Sequence, residues 1–508
     1  MVGLNALLLV SLAYVAILFA VAAWAERRAA RGLDSWFRSP WIYTLSLSVY
    51  CTAWTFYGAV GYAARSGLEF LTIYLGPTGV LIGSWLLLRK LVRIAKAQKI
   101  TSVADLISSR FGKSTELGVL VTILAVIGTT PYIALQLQSV VLAISAFGDV
   151  GVTGDAKSTA LWVAAGLAIF TIVFGTRRLD VNERHHGVVM AIAVEAIVKL
   201  VALIAVGIFV VWGLGGGVQD MAARIEASPI SDWQVSQSRW LGLTFLSAAA
   251  FICLPRMFQV LVVENADERH LSLASWAFPA YLLLMSLFVV PIAVMGLELM
   301  PEGSNPDLFV LSLPLSQGQG ALALLSFLGG FSSATGMVIV AALALATMVS
   351  NHVVLPIWLR AQGAQASVTG DVRSVVILSR RLSITGVLFL GYLYYFLSGG
   401  GSALAAIGLI SFVGVAQALP AMVGGIFWRG ATRFGAGAGL ILGSTVWLYT
   451  LFLPSFGPDV VMSQAMLSNG PWGVSWLTPQ ALFGIVGLDP VVHAILWSML
   501  LNSGALIA

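Results

Sequence analysis

The run SLSVYCTAWTFYGAVG, Ser46 to Gly61, decides the fold. It stands inside an apolar segment, 41–63, yet it mixes small, polar and aromatic residues and makes a poor regular helix at its centre. A second apolar segment, 239–262, is interrupted in a similar place by FICLPRMFQV, which contains Pro255. Proline removes a backbone donor and clashes with the preceding turn. A broken helix frees carbonyls that lipid cannot satisfy, so such breaks are tolerated only where they face protein or a cavity. A packing kink explains either break alone. Two breaks at corresponding places of two halves point instead to a transporter with its site between them.

The composition agrees. Of 508 residues, 59% are apolar and only 10% are charged, against about 25% charged in an average soluble domain. This excludes a soluble enzyme, a disordered chain and a nucleic-acid binder. The 52 glycines suit closely packed membrane helices. Cys51 and Cys253 both fall in apolar segments and form neither a disulfide framework nor a metal motif. Divided at its charges and turn residues, the chain gives thirteen apolar segments, at 4–25, 41–63, 69–88, 117–147, 158–176, 187–213, 239–262, 271–297, 320–352, 375–397, 403–427, 434–454 and 490–508. None alternates with the period of a membrane barrel. Alternate loops hold 22 of the 27 Lys and Arg residues, and the intervening loops hold four. The positive-inside rule therefore places the N-terminus outside and the C-terminus in the cytoplasm, and the membrane expected is a bacterial-type inner membrane. The last segment stops while still apolar, so a soluble cytoplasmic region is expected beyond residue 508.

Segment 320–352 carries Gly-Gly-Phe-Ser-Ser-Ala-Thr-Gly (329–336), within 52 consecutive residues, 308–359, that lack Asp, Glu, Lys and Arg. Hydroxyls and freed carbonyls are hard oxygen ligands of the kind an alkali cation uses. The packing alternative is that each hydroxyl bonds the carbonyl one turn earlier.

Across nearly its whole length the chain resembles the sodium/solute symporter family. The resemblance rests on LSLSVYCTAWTFYGAVG (45–61), ITSVADLISSRFG (100–112), LPRMFQVLVVENADERH (254–270) and GLISFVGVAQALPAMVGGIFWRG (408–430). The last two look most like a subgroup whose symporter-like domain is fused to a histidine kinase. The resemblance implies an all-α polytopic membrane protein of the five-plus-five inverted-repeat transporter fold, with about 13 transmembrane helices. One extra helix and its loop (1–40) precede the repeats at 41–213 and 239–427, and two further helices follow in 428–508. It also implies a sodium site built from the carbonyls of Ser48, Cys51 and Gly329 and the hydroxyls of Ser332 and Ser333. No organic cofactor is implied, and the coupling ion is Na+ or H+.

Glu195 and Lys199 are the charges read as lying deep within an apolar segment, in AIAVEAIVKLVALIAVG. Four residues apart, they share a helix face, and a charge at that depth is costly unless paired or hydrated. A mutually neutralised packing pair is one reading. In the other they form a coupling pair, with Lys199 standing in for sodium, as in a proton-coupled relative of the fold, or holding a substrate carboxylate. Candidate substrate contacts are Tyr50, Thr52, Trp54 and Tyr57 on the first broken helix, Gln136 and Gln138 in TTPYIALQLQSV, of which only one can face the centre, and Phe245 and Phe251 on the second. Each aromatic has packing as its plainer explanation. Glu69 reads as a solvated charge at the membrane interface.

Three functions compete: a solute-binding or transporting domain of a sensor histidine kinase, with its kinase in cis; a stand-alone secondary transporter; and a receptor that binds without transporting. The partners expected are a small solute, the bilayer and that kinase, with no nucleic acid. No Ser/His or paired-Asp motif argues for an enzyme. The resemblance implies a small amino acid such as histidine, or a short carboxylate such as acetate.

Overall fold

The computed structural model describes residues 4–32, 36, 39–148, 156–175, 186–362, 372–400 and 403–508. Within these residues the chain is helical, and its only β-type contact is an isolated bridge between Pro458 and Met462. The elements that position the site are α1 (Leu4–Ala30), α2 (Pro40–Ser46), α3 (Ala59–Ser66), α4 (Thr72–Ile82), α5 (Thr115–Ser145), α6 (Ala156–Gly175) and α7 (His186–Ile208). They continue with α8 (Gln237–Cys253), α9 (Pro255–Phe258), α10 (His270–Ser286), α11 (Gly320–Val349), α12 (Val372–Leu397), α13 (Leu404–Ala416), α14 (Arg433–Trp447) and α15 (Pro490–Ile507).

Among the described residues, ten helices are long and apolar enough to cross a membrane. The pair Gln237–Cys253 and Pro255–Val263, bent by 57°, makes an eleventh. The expected thirteen differ from this by two segments, 41–63 and 69–88, which are divided into shorter helical pieces. In the first, α2 runs into a 3-10 turn, Leu47–Tyr50, and Cys51 is extended (φ −78°, ψ 95°). A π-turn, Trp54–Gly58, then leads into α3. In the bent pair Leu254 is extended (φ −58°, ψ 127°), because a residue before proline is pushed out of the helical region. Pro255 then opens α9, where its missing N–H costs nothing.

The core is a bundle in which α11 packs on α7 and α5, α13 on α5, α8 on α4, and α1 on α7, while α14 and α15 pair with each other. The short α9 lies against the Leu47–Tyr50 turn and against α11, so the two breaks meet at the centre. Small residues permit the close crossings. A Cβ on Gly336 of α11 would lie 1.9 Å from Glu195 Oε2 of α7.

Candidate solute and ion site

The first break leaves backbone groups that the neighbouring helices satisfy. Ala53 N–H donates to Gln136 Oε1 of α5 at 3.1 Å, and Trp54 N–H donates to Thr52 Oγ1 at 3.2 Å. Thr52 Oγ1 also bonds Tyr132 OH at 2.9 Å. Gln136 is thus the glutamine turned toward the break. Gln138 is buried as well.

On the acceptor side, Lys199 Nζ donates to the carbonyls of Ser48 (2.6 Å) and Cys51 (2.8 Å). These are the two first-helix carbonyls that the family resemblance assigned to sodium. The ammonium is fully buried, and α7, which carries it, packs on both α1 and α11. The expected pairing with Glu195 is not formed. Lys199 reaches for the break, while the Glu195 carboxyl turns to Gly336 of α11 and lines a small apolar cavity with Leu18, Phe170, Ile192 and Ile339. Among the described residues Glu195 makes no hydrogen bond or ion pair. Helical spacing placed the two side chains on one face, but their ends diverge to different neighbours.

The hydroxyl pair on α11 also divides. Ser333 Oγ donates back to Gly329 O at 2.8 Å, the packing alternative. Ser332 Oγ accepts from Tyr14 OH at 2.7 Å. Tyr14 belongs to α1, the extra helix, which therefore reaches the centre of the bundle.

Aromatic rings surround the meeting point of the breaks. Tyr50 packs edge-on against Phe251 (5.4 Å between centroids), and Tyr132 stacks on Phe412 at 5.5 Å. Tyr50 OH is spent on Ile73 O at 2.7 Å. Two other candidates on the first helix are packing residues here. Trp54 Nε1 donates to Ala405 O at 3.4 Å, and the Tyr57 ring fills the space beside Gly330. Phe245 does not belong to the site. It is 43% exposed, on a face of α8 turned away from the bundle, six residues before the buried Phe251.

Arg256 overturns a count made from the sequence. It is one of the 22 Lys and Arg residues counted in the alternate loops, yet it is 0% exposed. Its guanidinium carbon lies 4.3 Å over the Tyr132 ring, and none of its three nitrogens has a hydrogen-bond partner among the described residues. Arg256, Tyr132, Phe412 and Tyr14 were all missed. Tyr132 was within reach, one turn before Gln136 on the same helical face. Arg256 follows the helix-breaking proline directly, but the positive-inside rule absorbed its charge.

Both ends of the bundle are bridged. At one end Arg239 Nε donates to Glu69 Oε1 (2.5 Å), Tyr62 OH donates to Glu69 Oε2 (3.0 Å), and Arg239 also pairs with Asp489. Glu69 is therefore a buried, paired group rather than a solvated one. Beside it, Asp307 accepts from Arg65 Nη1 (2.8 Å) and from the Leu404 N–H (3.0 Å), joining the first core helix to the start of α13. At the other end Arg93 forms a fork with Glu268 (2.5 and 2.9 Å), which holds that carboxyl below its usual range.

An all-helical bundle with paired broken spans defines a class, the membrane transporter fold. Comparison with known proteins agrees. In fold, the chain is similar to a Na+-coupled sialic acid symporter solved in a substrate-bound outward-open state, with a TM-score of 0.69 over 98% of this chain and 96% of that one, at 14% identity. In sequence, it is similar to two uncharacterized symporters of Bacillus subtilis strain 168. YhjB is 25% identical over 443 residues, 82% of this chain and 83% of that protein. YodF is 23% identical over 457 residues, 87% of this chain and 82% of that protein. No protein-family model matches the sequence.

Proposed function

We propose that the chain is a proton-coupled secondary transporter, moving a small solute by alternating access around the two helix breaks. The observation that carries this reading is the Lys199 ammonium on the Ser48 and Cys51 carbonyls. A tethered cation there takes over the role of a bound alkali ion. The two relatives named symporters and the fold likeness support transport as the activity. Sodium is the coupling ion named for the structural neighbour. Here sodium would have to displace the ammonium from its own two oxygens. Glu195, one turn away on α7, is the carboxyl placed to share a proton cycle with Lys199. Tyr14, Cys51 and Arg256 are the other titratable groups within electrostatic range of this pair. The N-terminus lies outside and the C-terminus inside, and the repeats span 41–213 and 239–427.

Reconstitution into sodium-free liposomes tests the reading. Imposed acid-outside gradients are expected to drive uptake of acetate or histidine, and Lys199→Ala is expected to abolish the pH dependence. A Glu195→Lys/Lys199→Glu protein should fold yet lose that dependence, because the ammonium then sits one turn from the carbonyls. Uptake that requires sodium, or a fully active charge-swapped protein, would overturn proton coupling. Binding without uptake would make the chain a receptor.

The motifs at 254–270 and 408–430 favour a second role, as the sensing domain of a histidine kinase. Solute-dependent autophosphorylation of the parent protein is the test.

A further inference from the structure

Among the described residues five Asp, Glu, Lys and Arg side chains are buried: Glu69, Glu195, Lys199, Arg256 and Asp307. Glu69 and Asp307 are neutralised by Arg239 and Arg65 at the rim. The centre then holds two cations, Lys199 and Arg256, and one carboxyl, Glu195. Lys199 spends its charge on two carbonyls. Among the described residues Arg256 has no partner but Tyr132, whose ring it lies over. A guanidinium keeps its proton under all ordinary conditions, and a desolvated charge without a partner is costly in free energy. A chain keeps such a group where something else completes it.

We propose that Arg256 is the anchor of a substrate-binding site for small organic monocarboxylates, with the rings of Tyr132, Tyr50, Phe251 and Phe412 receiving the organic part. Three observations converge on this. The guanidinium stands one residue past the break of the α8–α9 span, and α9 touches the break of the first helix. Its planar fork of donors matches a carboxylate two bonds at a time. The centre holds two cations, Lys199 and Arg256, that no ion pair neutralises among the described residues, and a carboxylate lowers that excess positive charge. A zwitterion would leave that charge in place and would bring an ammonium to a break whose two carbonyls already serve Lys199. A neutral polyol would leave Arg256 uncompensated. The proposal rests on the reading of the chain as a solute-binding transporter and narrows its solute from amino acid or carboxylate to carboxylate.

The test uses the purified full chain and five probes: acetate, benzoate, histidine, glucose and inorganic phosphate. Binding is read as a ligand-dependent rise in melting temperature, and uptake is measured in liposomes. Acetate or benzoate is expected to bind wild type, and Arg256→Gln should lose roughly 10- to 100-fold in affinity, as expected for hydrogen bonds to a charged group. Arg256→Lys should retain part of it, because a point charge replaces the fork. Without ligand, Arg256→Met should melt no lower than wild type, since it removes an unpaired buried charge. A clear fall would instead mark Arg256 as a packing residue and overturn the proposal. So would the absence of binding by either carboxylate, or binding of histidine, glucose or phosphate that Arg256→Gln leaves intact. Carboxylate binding that depends on Arg256 without any uptake would uphold the site and overturn transport instead.

Discussion

Gly336 shows how little room the centre has. With hydrogen in place of a side chain, α11 passes the Glu195 carboxyl at a distance no methyl tolerates, the added Cβ falling 1.9 Å from Oε2. Gly336→Ala should therefore push the carboxyl out of its apolar cavity. Overpacking of this kind costs about 1–3 kcal/mol, to be read as a lower melting temperature in detergent. A Glu195→Ala partner mutation should restore most of that loss, because it removes the atoms in conflict. If Gly336→Ala melts like wild type, the carboxyl does not rest against α11.

At the scale of elements, the extra helix is the least expected participant. Tyr14 of α1 and Ser332 of α11 share one buried hydrogen bond across 318 residues of chain. Tyr14→Phe and Ser332→Ala should each cost about 1 kcal/mol, and the double mutant little more than either. Additive losses would show that the two hydroxyls act independently. The helices themselves were legible in the sequence, because long apolar runs and alternating Lys/Arg loops report the bilayer directly. Both breaks were legible as well, from Pro255 and from the polar run around Cys51. The partners of the site were not. Tyr14 of α1 meets Ser332 of α11, and Arg256 of α9 meets Tyr132 of α5, and nothing local to any one segment says which side chain faces which. Glu195 and Lys199 were correctly taken as buried. The direct ion pair that was one reading of them does not form, because helical spacing fixes a shared face but not where long side chains end.

For the molecule as a whole, the bridges at its two ends are expected to act as gates on the centre. Asp307 binds Arg65 and the Leu404 N–H together, so Asp307→Ala should loosen that end. Cys51, buried beside the first break, provides the readout in a Cys253→Ala background. A membrane-impermeant thiol reagent is expected to modify it several-fold faster in the Asp307→Ala protein, and an unchanged rate would refute the gate. At the opposite end the Arg93 hydrogen bonds hold the Glu268 carboxyl below its usual range. The sign follows directly. The stabilising contact is complete above the ordinary carboxylate range and is lost as pH falls through the lowered value. Hydrogen exchange across 264–270, corrected for intrinsic rate, should therefore stay slow at neutral pH and quicken in acid. Arg93→Ala, which removes the contact at every pH, should leave exchange there fast at neutral pH and largely independent of pH.

The ammonium on the Ser48 and Cys51 carbonyls is held by a covalent leash. A dissolved ion reaches its ligands in proportion to its concentration in the bath, and its occupancy collapses when the bath is depleted. A group on a four-carbon stem meets the same oxygens at an effective concentration fixed by the fold. The centre of this protein is thus supplied with its cation in fresh water and in brine alike. Under the proposed coupling, what remains for the surroundings to control is the proton on that cation.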